Sequence, residues 1–379
     1  MRKEILLKGL WPLFIFALWL SACVDPYEAD FDIADSIIVV DGNLTDDTEG
    51  NYVSLRESKP SGSSTSNFSK IANAKVEVIV NKQTSVVLSH DFDGIYKFPV
   101  GFKAEENKSY QLKFTLSNGK TYSSHEELLK KVSPINEVKQ RYAADIDYFG
   151  QEVPGHRVYI SANEPEGKGD AYYWSWRLYE KERYCISCNG STYVIDESGA
   201  GKCVYNQLAS NAGITYDYEC DGDCWRILYS LELNAMNDAF VDGKSITDRL
   251  IAEIPYYTKK GAILEITQHS INNQAYRYIK LLRDQNQNSG SLADTPSAAL
   301  NGNMSSDTDP TESIGGYFLV SGVSKVNYYL DRSDVPPNIA AIDFVGGRQR
   351  IIGPATLSPP LAPCEEGTFR TKSEPLNWR

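Results

Sequence analysis

The sequence is poor in the residues on which most catalytic and metal centres depend. Its 379 residues include only four histidines and three methionines. The histidines are scattered along the chain as His90, His125, His156 and His269. No His-Glu-x2-His metal motif occurs, and no serine or cysteine lies at a recognisable catalytic spacing from a histidine. These absences predict a protein that is not an enzyme and that holds no cofactor and no metal.

Positive charge and long apolar runs are also scarce. The chain has 38 Lys and Arg against 50 Asp and Glu, a formal net charge of −12. Because residues 1–22 carry a net charge of +2, the remainder carries about −14. Phosphate repels such a chain, so nucleic acid is not an expected partner. Beyond the N-terminus, no stretch is apolar enough to span a membrane.

The N-terminus has the pattern of an export signal. Arg2, Lys3 and Lys8 precede an apolar run, Leu10 to Leu20, which is too short to span a bilayer comfortably. The following Leu-Ser-Ala-Cys, ending at Cys23, resembles the lipobox of bacterial lipoproteins. We therefore expect residues 1–22 to be a lipoprotein signal peptide and Cys23 to be the lipidation site. The alternative is a secretory signal followed by an unrelated cysteine.

An acidic tether follows the expected lipidation site. Residues 23–33 are rich in aspartate and glutamate, which predicts a solvated, extended segment. Acidic residues directly after a lipidated cysteine resemble the signals that send lipoproteins to the cell surface in Bacteroidetes. The resemblance implies an outer-membrane protein that faces the cell surface and contacts the membrane through its lipid anchor. An ordinary polar linker is the alternative.

Strand patterns dominate the N-terminal third of the remaining chain. Val76, Val78 and Val80 alternate with polar residues, as in a strand with one buried face. Asn118-Gly119 lies between two further apolar alternations and predicts a type I′ hairpin. Strands at this spacing without intervening helices predict an Ig-like β-sandwich over residues 34–130.

Residues 139–379 predict a larger β-rich domain with a few helices, so that the whole chain is mainly β. Ala275, Tyr278, Ile279 and Leu282 form an apolar stripe that predicts a helix from Asn273 to Gln285. An aromatic strand, Ala171 to Tyr179, places three large rings on one face: Tyr172, Trp174 and Trp176. Such a face is either the core of a sheet or, when exposed, a contact surface for a ligand.

Six cysteines follow Cys23, and five of them fall within a cysteine-rich insert at 185–225. They are Cys185, Cys188, Cys203, Cys220, Cys224 and Cys364. In an exported chain they predict up to three disulfides, for which fifteen pairings exist. A zinc site built on the two closely spaced pairs and a redox Cys-x2-Cys motif are the alternatives.

Four short segments carry a resemblance to a known family. They are Cys23-Val24-Asp25-Pro26-Tyr27, Tyr218-Glu219-Cys220-Asp221-Gly222-Asp223-Cys224-Trp225, Gly302-Asn303 to Gly316-Tyr317-Phe318, and Glu374-Pro375-Leu376-Asn377-Trp378. With them the chain resembles an uncharacterised Bacteroidetes lipoprotein family, classed as a domain of unknown function. Members of that family are typically encoded beside SusC-like TonB-dependent receptors. The resemblance implies an accessory role beside such a transporter and assigns no catalytic residues.

Three functions remain open on the sequence. The expected one is a non-catalytic surface lipoprotein that acts as accessory or binding partner of a TonB-dependent outer-membrane transporter. The alternative is a stand-alone surface lipoprotein that binds a glycan or peptide through exposed aromatic residues. A hydrolase with a site assembled from distant acids is the third, and it would need paired carboxylates with raised pKa values.

Overall fold

β-Strands make up most of the chain, so the predicted mainly β class is confirmed. The computed structural model describes residues 36–58, 68–163, 170–237, 244–286, 302–344, 350–354 and 358–379. The expected signal peptide at 1–22, the tether at 23–33 and Cys23 lie outside the described residues. Their predicted roles therefore stay predictions.

The described residues form strands β1 to β26 and two helices, α1 and α2. The strands are β1 (Ile38–Thr45), β2 (Tyr52–Ser58), β3 (Phe68–Lys70), β4 (Lys75–Val80), β5 (Thr84–Val87), β6 (Ser89–His90), β7 (Ile95–Lys97), β8 (Ser109–Thr115), β9 (Thr121–Ser124), β10 (Glu127–Leu128), β11 (Ile135–Tyr148), β12 (Gln151–Asn163), β13 (Asp170–Lys181), β14 (Tyr184–Asn189), β15 (Ser191–Ile195), β16 (Gly201–Tyr205), β17 (Thr215–Asp221), β18 (Trp225–Tyr229), β19 (Asn234–Asn237), β20 (Ser245–Pro255), β21 (Ala262–Asn272), β22 (Met304–Ser306), β23 (Ile314–Leu330), β24 (Ile351–Ile352), β25 (Ala362–Pro363) and β26 (Arg370–Thr371). The helices are α1 (Gln207–Asn211) and α2 (Asn273–Asn286).

One large sheet runs through the described part of the chain. Its strand order is β26-β18-β13-β21-β23-β1-β2-β7-β6, with β19 beside β13 and β3 beside β2. β1 pairs with β23 in parallel and with β2 antiparallel. The N-terminal strands and strands from the second half of the chain therefore share this sheet.

A second sheet packs on the N-terminal half of the large sheet. It has the order β22-β9-β8-β4-β5, with β10 beside β8. Val76 and Val78 of β4 point into the shared core, as their alternation predicts, and meet Val40 and Leu55 of the large sheet. Phe318 of β23 also lies in this core. The two-sheet packing is β-sandwich-like, although the Ig-like topology is not confirmed. The domain limits at 34–130 and 139–379 stay a prediction.

A second core lies between the large sheet and a three-stranded sheet of order β11-β12-β20. Val158 and Ile160 of β12 pack with Ile254 of β20 against Trp174 and Leu264 of the large sheet. Burial of a large apolar side chain stabilises the fold by about 1.5–3 kcal/mol. This core holds β13 and β21, from which the cysteine-rich insert and the helix α2 extend.

The predicted helix is confirmed and covers one face of the large sheet. Asn272 Oδ1 accepts a hydrogen bond of 2.8 Å from the Ala275 backbone amide, which caps the first turn of α2. Ala275 and Ile279 pack against Ile271 and Tyr317 of the sheet. Neither α1 nor α2, the helices of the described residues, has the length and apolarity needed to cross a bilayer.

The Asn118-Gly119 connection joins β8 and β9 as predicted, but not through a type I′ turn. Gly119 has a positive φ of 87°, whereas Asn118 does not. The Gly119 amide donates to the Leu116 carbonyl at 2.9 Å, and the Leu116 amide donates to the Lys120 carbonyl at 2.9 Å. One left-handed residue, rather than the two of a type I′ turn, is enough to close this hairpin.

Candidate functional site

Two disulfides hold the cysteine-rich insert together. β14 pairs antiparallel with β17, which places Cys185 beside Cys220 with a Cα–Cα distance of 4.8 Å. The second disulfide joins Cys188 of β14 to Cys203 of β16, with Cα atoms 5.5 Å apart. Both distances suit a disulfide. The β15–β16 hairpin is therefore covalently fastened to the β14–β17 pair.

A third disulfide fastens the C-terminal segment to the insert. It joins Cys224 to Cys364, 140 positions further along the chain, and the ring of Trp225 meets that of Trp378 with centroids 5.7 Å apart. The prediction of up to three disulfides is confirmed, and all three are present. The sulfur atoms of Cys185, Cys224 and Cys364 lie within 4.8 Å of one another because two disulfides are neighbours. Since all six sulfurs are bonded, the zinc and redox alternatives for these cysteines are wrong.

The insert exposes large apolar side chains to solvent. Its β15–β16 hairpin and the adjoining helix α1 carry five of them, which we call the apolar insert surface: Val194, Ile195, Val204, Tyr205 and Leu208. Their exposed fractions run from 39% to 82%. On the inner side, Tyr193 is buried and packs on Tyr218 with ring centroids 5.3 Å apart. By strand alternation Val194 and Val204 share one face of the hairpin, and Ile195 and Tyr205 lie on the face of Tyr193. Exposed apolar side chains on a cross-linked element are typical of a protein contact site.

A groove of about 940 Å³ lies between the insert and two segments of the chain beyond it. The insert side is formed by residues around Tyr184 and Cys220, and the other side by Tyr257 to Lys260 and Pro337 to Phe344. A volume of this size admits an extended segment of a partner chain or a small ligand.

The groove is locally basic on an otherwise acidic protein. Five cationic and three acidic side chains line it. Arg183 is paired with Glu219, but Lys259 and Lys260 are exposed and have no ion pair within the described residues. The two lysines therefore give this groove a charge opposite to that of the rest of the surface, which favours an anionic partner group.

The comparisons with known proteins identify a family. The model of a family described as "Domain of unknown function (DUF4249)" matches residues 24–327. The chain belongs to the DUF4249 family. This agrees with the expected domain-of-unknown-function class. No curated protein and no solved structure matches the chain.

In this member of the DUF4249 family, the strongly buried glutamates of the described residues already have partners. Glu180 is bound by Arg332, and Glu182 accepts from Arg370 at 2.9 Å. Glu127 accepts from Asn303 at 2.8 Å and from Tyr317 at 2.9 Å. Burial raises the pKa of Glu127, but with 2% of its surface exposed no substrate can reach it. These carboxylates hold strands together rather than offer acid–base chemistry.

The one serine–histidine pair in the described part of the chain is also closed off. His269 Nδ1 lies 3.0 Å from the hydroxyl oxygen of Ser321. Ser321 is fully buried, so its hydroxyl cannot attack an external substrate. Burial, followed by the charge of Lys325, lowers the pKa of His269 to about 4, and the imidazole is therefore neutral at neutral pH.

Two aromatic side chains of the strand Ala171 to Tyr179 lie in the protein core. Tyr172 and Trp174 are 2% and 1% exposed, and the Trp174 indole donates to Gln268 Oε1 at 2.9 Å. The prediction of a ligand contact through these two residues is therefore wrong, because the three-stranded sheet covers them. Trp176 is half-buried and packs against the same core.

Two acids lie in strands whose sequence is otherwise rich in apolar residues. Asp41 ends the run Ser-Ile-Ile-Val-Val-Asp, and Glu180 shares the alternation of Trp174 and Leu178 in β13. An acid on an apolar face predicts a buried partner or a site. The strand patterns do not reveal the partner of Glu180, because Arg332 is 152 positions away.

Proposed function

We propose that the mature chain is a non-catalytic surface lipoprotein that acts as a binding partner of a TonB-dependent outer-membrane transporter. Lipid chains on Cys23 hold it in the outer membrane, facing the cell surface, and the apolar insert surface contacts the transporter. In support, the family match begins at residue 24, one position after the expected lipidation site. Anchoring both partners in one membrane raises their effective concentration, so a modest contact area suffices.

The observation that carries the proposal is the apolar insert surface on its disulfide-bonded base. Exposed valine and tyrosine side chains gain free energy when a partner removes them from water, roughly 25 cal/mol per Å². One disulfide fastens the hairpin to β14, and a second joins β14 to β17. Because the hairpin is held on this cross-linked base, little conformational entropy is lost when it binds.

A stand-alone glycan or peptide binder is the second candidate, and the groove favours it. The lysines at 259 and 260 suit an anionic peptide or an acidic sugar better than a neutral glycan. The buried aromatic strand no longer supports stacking on sugar rings. The hydrolase alternative would need paired carboxylates that a substrate can reach. The strongly buried glutamates of the described residues are not accessible, so they do not support it.

The test is a pull-down of tagged, lipidated protein from its native outer membrane in mild detergent, with mass spectrometry of the recovered proteins. Wild type should recover a TonB-dependent receptor in about equal amount. The variant Val194→Ser/Val204→Ser/Tyr205→Ser should lose about tenfold or more of it. A matched control, Val87→Ser/Val100→Ser/Phe149→Ser, removes exposed apolar side chains elsewhere and should recover as much as wild type.

Recovery of the lipoprotein alone, with the receptor present but unbound, would overturn the transporter role. Equal receptor recovery by both triple variants would instead remove the insert as the contact surface. The anchor is tested separately by metabolic labelling with an alkyne fatty acid, where Cys23→Ala should abolish the label.

A further inference from the structure

A second pocket lies on one face of the large sheet, away from the insert. Five neighbouring strands, β13, β21, β23, β1 and β2, each contribute side chains to its floor, and α2 closes one side. The parallel pairing of β1 and β23 sets Asp41 opposite Tyr317. Its volume is about 280 Å³, which suits a small ligand group rather than a polymer chain.

Asp41 is the single acidic side chain among the residues that line this pocket. Its carboxylate accepts a hydrogen bond of 2.8 Å from the Tyr52 hydroxyl and remains exposed. No cation lies within ion-pair distance of it in the described residues, and Arg56 acts on it only from further away. The surrounding protein raises the pKa of Asp41, because the pocket walls replace part of the water that would solvate its charged form.

Four tyrosine rings line the pocket with Asp41. Tyr173 of the sheet and Tyr278 of α2 both line the pocket, and Tyr278 packs on Tyr317 with ring centroids 5.3 Å apart. Burial and then the charge of Asp41 raise the pKa values of Tyr173 and Tyr278, so both phenols lie within electrostatic reach of the carboxylate. Neither hydroxyl has a hydrogen bond to another described residue.

The remaining polar side chains of the lining, Asn43, Ser175 and His269, add no charge. The ring of His269 lies 5.5 Å from that of Tyr173 and is neutral at neutral pH. The pocket therefore combines one negative charge with several electron-rich ring faces. Both features attract cations: a carboxylate by charge, and a tyrosine face by its quadrupole. An anion would be repelled, and a neutral sugar would leave the charge unmatched.

We propose that this pocket binds an organic cation, with the ammonium group of an alkylamine against Asp41 and between the rings of Tyr173 and Tyr278. The ammonium can also donate to the hydroxyl oxygens of Tyr173 and Tyr278, whereas a quaternary ammonium cannot donate a hydrogen bond. The site is independent of the apolar insert surface and of the proposed transporter partner. The same chemistry is offered by a free small amine and by the lysine side chain of a partner chain.

The experiment is isothermal titration calorimetry of the full mature chain at neutral pH. Butylammonium should bind with a Kd of about 1 mM or tighter, and butan-1-ol, its neutral isostere, about tenfold more weakly or worse. N-acetyl-lysine methylamide distinguishes the two sources. If it binds more tightly than butylammonium, the natural cation is a lysine of a partner, and the reverse order indicates a free amine.

Three variants locate the site. Asp41→Asn should weaken butylammonium binding about tenfold or more, since it removes the charge and keeps the shape. Tyr173→Leu should weaken it about threefold or more, whereas Tyr173→Phe keeps the ring and most of the affinity. Arg56→Gln removes a repelling charge outside the pocket and should leave the affinity equal or higher, which a merely structural disturbance of β2 would not do.

Equal affinity for butylammonium and butan-1-ol would overturn the proposal. So would unchanged affinity in Asp41→Asn, once thermal melting has shown that the variant is folded. Absence of saturable heat from butylammonium up to about 10 mM would overturn it as well.

Discussion

Glu180 and Arg332, 152 positions apart in the chain, form an ion pair that is 0% and 1% exposed on its two side chains. The Nη1 and Nη2 atoms of Arg332 both donate to the carboxylate, and Nη1 also donates to the backbone carbonyls of Thr258 and Lys260 at 3.0 Å. This cluster fastens the segment after β23 to β13 and to the loop between β20 and β21. Thr258 and Lys260, which this cluster holds, also line the groove.

Breaking one half of this pair should strongly destabilise the protein. Glu180→Gln leaves the Arg332 charge buried without a counter-charge, and we expect a loss of about 3–5 kcal/mol in the free energy of unfolding. Urea denaturation followed by circular dichroism measures it. The exposed pair Arg183–Glu219 is the control, since Glu219→Gln should cost less than about 1 kcal/mol. Equal losses in the free energy of unfolding for the two variants would show that burial does not determine the contribution of these ion pairs.

The long-range disulfide should stabilise the fold more than the short-range one. Cys224–Cys364 closes a loop of 140 positions and Cys188–Cys203 one of 15. Restriction of the unfolded chain predicts about 5 kcal/mol for the first and about 3 kcal/mol for the second. Cys224→Ser/Cys364→Ser and Cys188→Ser/Cys203→Ser, compared in guanidinium unfolding, test the order. A larger loss from the short-range pair would contradict the loop-length explanation.

His269 should make the protein less stable in mild acid. Its pKa falls from 6.5 in the unfolded chain to about 4 in the fold. The unfolded state therefore binds the extra proton first, and stability is lost as the pH drops from about 6.5 to about 4. This one residue accounts for about 3 kcal/mol over that range. The measurement is the free energy of unfolding against pH for wild type and His269→Asn, whose amide can replace the bond to Ser321.

The difference between the two proteins carries this prediction, because other groups titrate in the same range. Wild type should lose stability more steeply than His269→Asn between pH 6.5 and pH 4. Parallel profiles would mean that the imidazole is not held neutral by the fold.

Gly316 should tolerate no side chain. Its φ is +102°, and an added Cβ would lie 1.8 Å from the backbone carbonyl oxygen of Val40 on the paired strand β1. Gly316→Ala must separate β1 from β23, and we expect a loss of about 3–5 kcal/mol. Gly101, with a φ of +77° and no atom near its Cβ position, is the control. Gly101→Ala should cost only the backbone strain, about 1 kcal/mol. Thermal unfolding of both variants measures the two losses.

The segment from Gly302 to Phe318, which carries part of the family resemblance, is a junction of the fold. A Cβ on Gly302 would meet the carbonyl oxygen of Gly316 at 1.5 Å. The Asn303 side chain accepts from the Phe318 amide at 2.9 Å and donates to Glu127. Trp378, from the last segment of the resemblance, packs on Trp225 next to Cys224. These segments therefore have structural roles at contacts between distant parts of the chain.

The sequence by itself determined the features that depend on neighbours along the chain. Alternation placed Val76 and Val78 in a buried strand face, and the 3.6-residue period placed Ala275 and Ile279 on the buried face of a helix. The cysteine count, together with the expected export signal, predicted up to three disulfides. These signals are local, because they arise from the geometry of one element and the solvent on one side of it.

Only the tertiary structure decided which distant residues meet. It chose one of fifteen disulfide pairings, gave Glu180 its partner Arg332, and turned Tyr172 and Trp174 inward. It also brought Asp41 and Tyr173 from separate strands to one pocket. The physical reason is that a strand pattern states which face is apolar but not which strand lies beside it. Pairing is decided by packing of the complete sheet, in which contacts far apart in sequence contribute together.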